Sequence, residues 1–220
     1  MTAVPSVPAA LREAVGAWRA EGRPPQGAVP YVRERWIAAL PEHAATLRAL
    51  PGDGLDRAAA HAAVAASLAA GELLGAFVVS QVWGYGRSGY GPFRVRRILD
   101  QPEADLHVRA SYDELCDDGP VAGFAAFSGE HRLRGLGPAF FTKFMYLADP
   151  SRRALVLDEY VLTWLRERAE VKLSRNPRPA DYERYLQIVG GWAAELDVPD
   201  EAVERLIFTA EAMTRPRSTW

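Results

Sequence analysis

A single cysteine, Cys116, stands among 220 residues. That count excludes a disulfide framework and a four-cysteine iron–sulfur cluster, and it points to a reducing compartment, the cytosol. Four scattered histidines give no zinc-ligand spacing, so neither a metal nor any other cofactor is expected. No apolar run reaches the ~20 residues of a membrane span. The start, Met-Thr-Ala-Val-Pro, has neither the basic region nor the apolar stretch of a secretory signal. Alternating strand patterns are equally scarce, with 77–82 and 154–157 the exceptions. The expected class is therefore all-α, away from membranes.

Acidic residues are missing from one long stretch. Between Glu72 and Asp100 there is none, while Arg87, Arg94, Arg96 and Arg97 fall there. Arg132, Arg134, Lys143, Arg152 and Arg153 follow, and the acids collect at 113–118 and 195–204. The formal net charge of −2 conceals this asymmetry, which suits a basic face set against an acidic back. Solvated helix faces of mixed charge are the plainer alternative.

What is present is helical periodicity. The length suits one all-helical domain over 1–220, or two lobes. After a loose tail at 1–8, Leu11, Val15 and Trp18 mark a helix over 9–20 that stops at Gly22. Two helical pieces divided at Pro41 occupy 31–50, and Pro-Gly-Asp-Gly at 51–54 is a turn. A long Ala-rich helix is expected from Asp56 to about Gln81 as the core element. The segment Trp83-Gly84-Tyr85-Gly86-Arg87-Ser88-Gly89-Tyr90-Gly91-Pro92-Phe93-Arg94 then reads as an aromatic, glycine-rich surface loop. Its rings could stack on bases and its arginines hold phosphates; packing between helices is the alternative. Helices at 95–99, 106–115 and 120–127 lead to the centre of the chain. Beyond it, helices are expected from Asp158 to about Leu173, at 180–196 and from Asp200 onward.

That centre is 131–160. Gly135-Leu136-Gly137 predicts a tight hairpin, because glycine reaches positive φ and lets another backbone approach. Pro138 follows at the first helical position, where it costs no hydrogen bond. Phe140, Phe141, Phe144, Met145 and Leu147 then recur at helical spacing. Backbone N–H groups at such a helix start attract anions, and Arg132 and Arg134 stand beside them. Ala154 to Leu157 is a short apolar run ending in Asp158, a natural N-cap for the next helix.

Leu133, Gly135, Leu136, Gly137, Phe144, Leu157 and Asp158 together resemble the helix-hairpin-helix DNA glycosylase superfamily with its Gly/Pro-rich loop and aspartate. The separation of the first glycine from the aspartate resembles that of the 8-oxoguanine DNA glycosylase branch. The resemblance implies a helix-hairpin-helix glycosylase-like helical bundle, with the hairpin and aspartate segment at about 128–165. It also implies a monomer acting on double-stranded DNA with a damaged base, in the cytoplasm near the nucleoid. On that pattern Asp158 and Lys143 are the candidate catalytic pair. Arg132, Arg134, Gly135, Leu136, Gly137, Arg87 and Arg94 would bind DNA, and Trp83 and Tyr85 would form a base pocket or wedge.

One departure concerns the nucleophile. Bifunctional members carry a lysine four residues after the first hairpin glycine, where this chain has Ala139; Lys143 lies one helical turn further on. Lys143 is thus either an amine that forms a Schiff base, giving lyase activity, or a phosphate contact beside a water mechanism. The other readings are a non-catalytic DNA-binding module or accessory subunit, and a helical protein-interaction domain.

Overall fold

Helices build the whole of the described chain, residues 4–52 and 54–214 of a computed structural model. In order they are α1 (Ala9–Ala20), α2 (Arg33–Ala39), α3 (Ala44–Ala49), α4 (Arg57–Ala69), α5 (Leu73–Tyr85), α6 (Gly91–Leu99), α7 (Ala104–Asp117), α8 (Pro120–Ser128), α9 (Pro138–Ala148), α10 (Glu159–Arg168), α11 (Pro179–Leu196) and α12 (Asp200–Thr214). A 3-10 turn, Pro41–His43, precedes α3. The one β pairing among the described residues is an isolated bridge between Val29 and Leu55. The class is all-α. None of the described helices is long and apolar enough to cross a membrane.

Contacts divide the chain into two units, Gln26–Ala154 and, discontinuously, Met1–Pro25 with Leu155–Trp220. The larger unit is organised on α5, whose residues Gly75 to Trp83 are all buried. A helix apolar on every side belongs at the centre of its unit, and α5 packs against α4, α6, α7 and α9. Phe77 of α5 meets Phe144 of α9 edge to face at 5.5 Å. Each such buried ring contributes about 1.5–3 kcal/mol. Phe127 of α8 stacks on Phe141 of α9 at 5.4 Å, fixing the opposite side of α9.

The long helix expected from Asp56 is two helices. Asp56 does cap the first, its carboxylate accepting from the Ala59 N–H at 2.7 Å. The chain then reverses at Gly71, φ +76°, with Gly71 N–H donating to Leu68 O and Glu72 N–H to Ser67 O. This is a Schellman cap, which needs a left-handed residue that glycine supplies without strain. The strand-like run at 77–82 is also helical, because burial on all sides gives a continuous apolar string rather than an amphipathic stripe. The helix after Asp158 ends at Arg168 rather than near Leu173. The expected turn at 51–54 includes residue 53, which lies outside the described residues, as does 1–3 of the tail.

The smaller unit packs α12 against α1, α10 and α11. Trp192 of α11 is fully enclosed, edge-on to Trp164 at 6.2 Å, with its indole N–H donating to Pro5 O. The buried run at 155–157 forms no strand, since tyrosine hydroxyls take the place of a neighbouring strand. Tyr182 Oη accepts from Leu155 N–H at 3.1 Å and donates to Leu155 O at 2.8 Å. Tyr185 Oη donates to Val156 O at 2.8 Å. Buried backbone groups must find partners, and here side chains provide them.

Candidate functional site

The hairpin lies between α8 and α9 in the larger unit. Leu133 and Leu136 turn inward and anchor it, so Leu136, grouped on the sequence with the DNA-binding residues, has its side chain in the core. Its N–H is also spent, on Leu133 O at 3.1 Å. Gly135 sits at φ +88°, a left-handed conformation that disfavours any Cβ. The N–H groups of Gly135 and Gly137 have no protein acceptor among the described residues. They stand at the start of α9, where Pro138 supplies no donor of its own. The result is a short backbone cradle with open donors.

Two side chains from neighbouring elements hold that cradle. Gln101 accepts from Arg134 N–H at 2.8 Å and donates to Arg134 O at 3.0 Å, pairing with the backbone as a strand would. Arg94 Nε donates to Gly135 O at 3.1 Å. His131, just ahead of the hairpin, meets His107 of α7 with their Nδ1 atoms 3.3 Å apart. Sequence spacing carries no sign of Gln101, whose partner is distant in the chain.

Lys143 lies half-buried on α9. Its Nζ donates to Ala139 O at 2.9 Å, so the side chain runs back along the helix by one turn. Helical side chains lean toward the N-terminus, and this one carries its amine to the residue where the bifunctional glycosylases place their lysine. The Phe140 ring lies 5.7 Å from Nζ on one side. Across from it is Gly84 of α5, where a Cβ would come within 2.9 Å of Lys143 Cδ and 3.4 Å of the Phe140 ring. Glycine at 84 thus leaves the channel in which the lysine stem lies.

Trp83, Gly84 and Tyr85 do not form the surface loop expected of them; they complete the last turn of α5. Trp83 is only 5% exposed, stacked on Tyr146 at 6.1 Å with the Arg57 guanidinium 5.4 Å from its ring centre. Tyr85 stacks on Phe140 at 4.0 Å and nearly parallel, and burial pushes its hydroxyl up to about 12. Gln81, fully buried one turn earlier, donates to Ser80 Oγ at 2.9 Å and to Phe140 O at 3.4 Å. These residues support α9 from behind. The exposed aromatics of the segment are Tyr90 and Phe93, 51% and 53% exposed.

The basic stretch is not uniform. Arg87, Arg97, Arg132 and Arg134 are exposed, but Arg96 is ion-paired with Glu42 at 2.7 Å and with Asp100. Those carboxylates raise the Arg96 guanidinium further and lower Asp100. Arg152 bonds to His61 at 2.9 Å, and Arg153 Nε donates to Ser151 Oγ at 3.1 Å. Arg94, Arg97, Arg134, Gln101, Tyr90 and Gly135 wall a cavity of about 550 Å³ beside the hairpin.

A second carboxylate went unnoticed on the sequence. Asp149 is buried and accepts four hydrogen bonds, from Ser151 N–H and Oγ and from the N–H groups of Arg153 and Ala154. Both oxygens are committed to closing the loop after α9, so its role is architectural. Nothing in its spacing distinguishes it from a surface Asp-Pro turn.

In the smaller unit Asp158 caps α10, accepting from Val161 N–H at 3.2 Å, and is 7% exposed. The tyrosine-braced run ahead of it fixes its backbone. Among the other aromatic candidates, Trp164 is buried and Phe208 packs edge-on to Tyr160 at 5.3 Å. Trp220 lies outside the described residues. No cluster of three or more metal-ligating side chains occurs among the described residues. Burial raises the Cys116 thiol, which keeps it protonated at neutral pH.

A family model described as "Putative 8-oxoguanine DNA glycosylase OGG-like protein" matches residues 22–208. The chain belongs to this OGG-like family. The match takes in the hairpin, Lys143 and Asp158, and agrees with the branch to which 131–160 bears its resemblance. No curated protein and no solved structure matches the OGG-like chain.

Proposed function

We propose that the chain excises an oxidised purine, 8-oxoguanine, from duplex DNA and that Lys143 is its nucleophile. The observation that carries this reading is the Lys143 Nζ held at Ala139 O, beside a hairpin with open amides. The family's description supports the substrate. Gly135 and Gly137 would grip the DNA backbone through N–H groups, with Arg87, Arg94, Arg132 and Arg134 supplying charge. The damaged base leaves the stack at a cost of a few kcal/mol, least where pairing is already weakened.

The chemistry follows from an amine and a carboxylate. The neutral Lys143 nitrogen attacks C1′ as the glycosidic bond breaks, its electrons going to the departing purine, which takes up a proton. The Asp158 carboxylate stabilises the positive charge that develops on the sugar. Loss of the remaining ammonium proton and opening of the C1′–O4′ bond give a Schiff base. Elimination then breaks the C3′–O bond, which is the lyase step. Trp83 and Tyr85, buried and half-buried behind α9, suit the wall of a base pocket rather than an inserted wedge.

Duplexes carrying single lesions test this directly. Release of 8-oxoguanine, with a borohydride-trapped complex lost in Lys143→Gln and kept in Lys172→Gln, is the expected result. Excision without trapping assigns Lys143 to phosphate and the attack to water. Absence of excision from any lesion, alongside salt-sensitive binding, leaves the non-catalytic module favoured by Ala139 at the usual lysine place.

A further inference from the structure

The cavity beside the hairpin holds three guanidinium groups and no carboxylate among its walls. Its volume of about 550 Å³ lies within the ~300–1,000 Å³ of ordinary ligand pockets, but its lining is cationic rather than apolar. We propose that it is a second phosphate subsite. Arg94, Arg97 and Arg134 would hold a phosphodiester of the same DNA strand, next to the one received by the Gly135 and Gly137 amides. The inference rests on DNA being the partner, and adds to that reading Arg97, Gln101 and Tyr90.

Three features make this a built site. Arg94 spends only its Nε, on Gly135 O, which aims the terminal nitrogens of the same group away from that bond. Gln101 clamps both the N–H and the carbonyl of Arg134, so the backbone carrying the third cation is fixed to the end of α6. Arg97 lies over the Phe93 ring at 5.8 Å, a contact that orients a guanidinium without neutralising it. Three cations gathered without a counter-charge repel one another, and an entering phosphate relieves that repulsion. Arg96, between them in sequence, is the contrast: Glu42 and Asp100 already occupy it. Tyr90, half-exposed at the rim, presents a ring to the sugar or base attached to that phosphate.

The contrast supplies the experiment. Binding to an undamaged duplex is measured across a range of salt for the wild-type chain, Arg97→Gln, Arg134→Gln and Arg96→Gln, with thermal melting to establish folding. Each lost phosphate contact lowers the slope of log K against log salt by about 0.9. The expected result is that reduction in Arg97→Gln and in Arg134→Gln, and none in Arg96→Gln. Wild-type slopes in both Arg97→Gln and Arg134→Gln, or an equal reduction in Arg96→Gln, overturn the subsite while leaving the DNA reading intact. A wild-type chain that shows no salt-dependent binding overturns both. Reduced slopes in a chain that excises no base keep the subsite and remove the glycosylase.

Discussion

Gly137 offers the sharpest separation of fold from function. Its backbone is extended, φ −98° and ψ 172°, a conformation open to any residue. A Cβ built there meets nothing within 4 Å. The fold therefore gives no reason for glycine, and the remaining reason is the approach of something from outside. Gly137→Ala should gain roughly 0.4–1 kcal/mol by restricting the unfolded chain. It should lose a comparable few tenths to about 1 kcal/mol at the N-cap, where glycine is preferred to alanine. Net stability thus stays within about 1 kcal/mol of the wild type. Binding behaves differently, because a methyl group at the cradle displaces a phosphate from the amide. A hydrogen bond to a charged group contributes about 1.5–3 kcal/mol, so the dissociation constant should rise by roughly 10- to 150-fold. The loss should be equal on lesion and undamaged duplexes, and the salt slope should be unchanged because no cation is removed. Fluorescence anisotropy with labelled duplexes at two salt concentrations reads all three. Wild-type affinity in a folded Gly137→Ala chain would falsify the cradle.

Gly84→Ala should melt within about 1 kcal/mol of wild type, since the clash falls on the movable end of a lysine stem, yet the borohydride-trapped fraction should fall at least tenfold. Equal trapping in the two chains would show that the lysine channel is irrelevant to attack. Asp158→Asn keeps an oxygen for the Val161 N–H, so folding should survive while excision drops by two orders of magnitude or more; retained turnover would remove Asp158 from the chemistry. Asp149→Asn should cost about 2–4 kcal/mol, because the new amide group faces backbone donors at Arg153 and Ala154 that it cannot accept from. A melting temperature equal to wild type in that variant would contradict the buried network.

Much of this architecture was legible where the signal was local. The hairpin, Pro138 at the start of α9 and the Asp158 cap each follow from backbone chemistry within a few residues, and the structure places them as expected. The division of the Ala-rich segment was missed although Gly71 was visible, because a lone glycine in a helical pattern is as often tolerated as used to stop it. The Trp83 to Tyr85 segment misled for a related reason. Glycines at 84, 86, 89 and 91 read as a loop, whereas Gly84 is a helical residue kept small by the side chain opposite it. Gln101, Asp149 and the two tyrosines of α11 carried no readable sign. Their partners are backbone groups far along the chain or hidden in a turn, and spacing cannot encode those.

The residues with recognisable chemistry are in each case held by residues without it. Lys143 is flexible by constitution, with four rotatable bonds and about 2 kcal/mol of rotamer entropy. Its stem is confined by Phe140 and the absent side chain at Gly84, and Phe140 is confined in turn by Tyr85. Asp158 owes its place to a buried run whose peptide groups are satisfied by Tyr182 and Tyr185 rather than by a strand. A strand would have tied that run to a sheet, and sheets have no other place in this fold. Tyrosine hydroxyls achieve the same satisfaction from a helix, leaving the run extended and Asp158 at its end free to begin α10. The motif and its scaffold are thus separable in mutation. Changes at Lys143 and Asp158 should alter chemistry with the fold intact, and changes at Tyr182 should loosen the fold and the chemistry together.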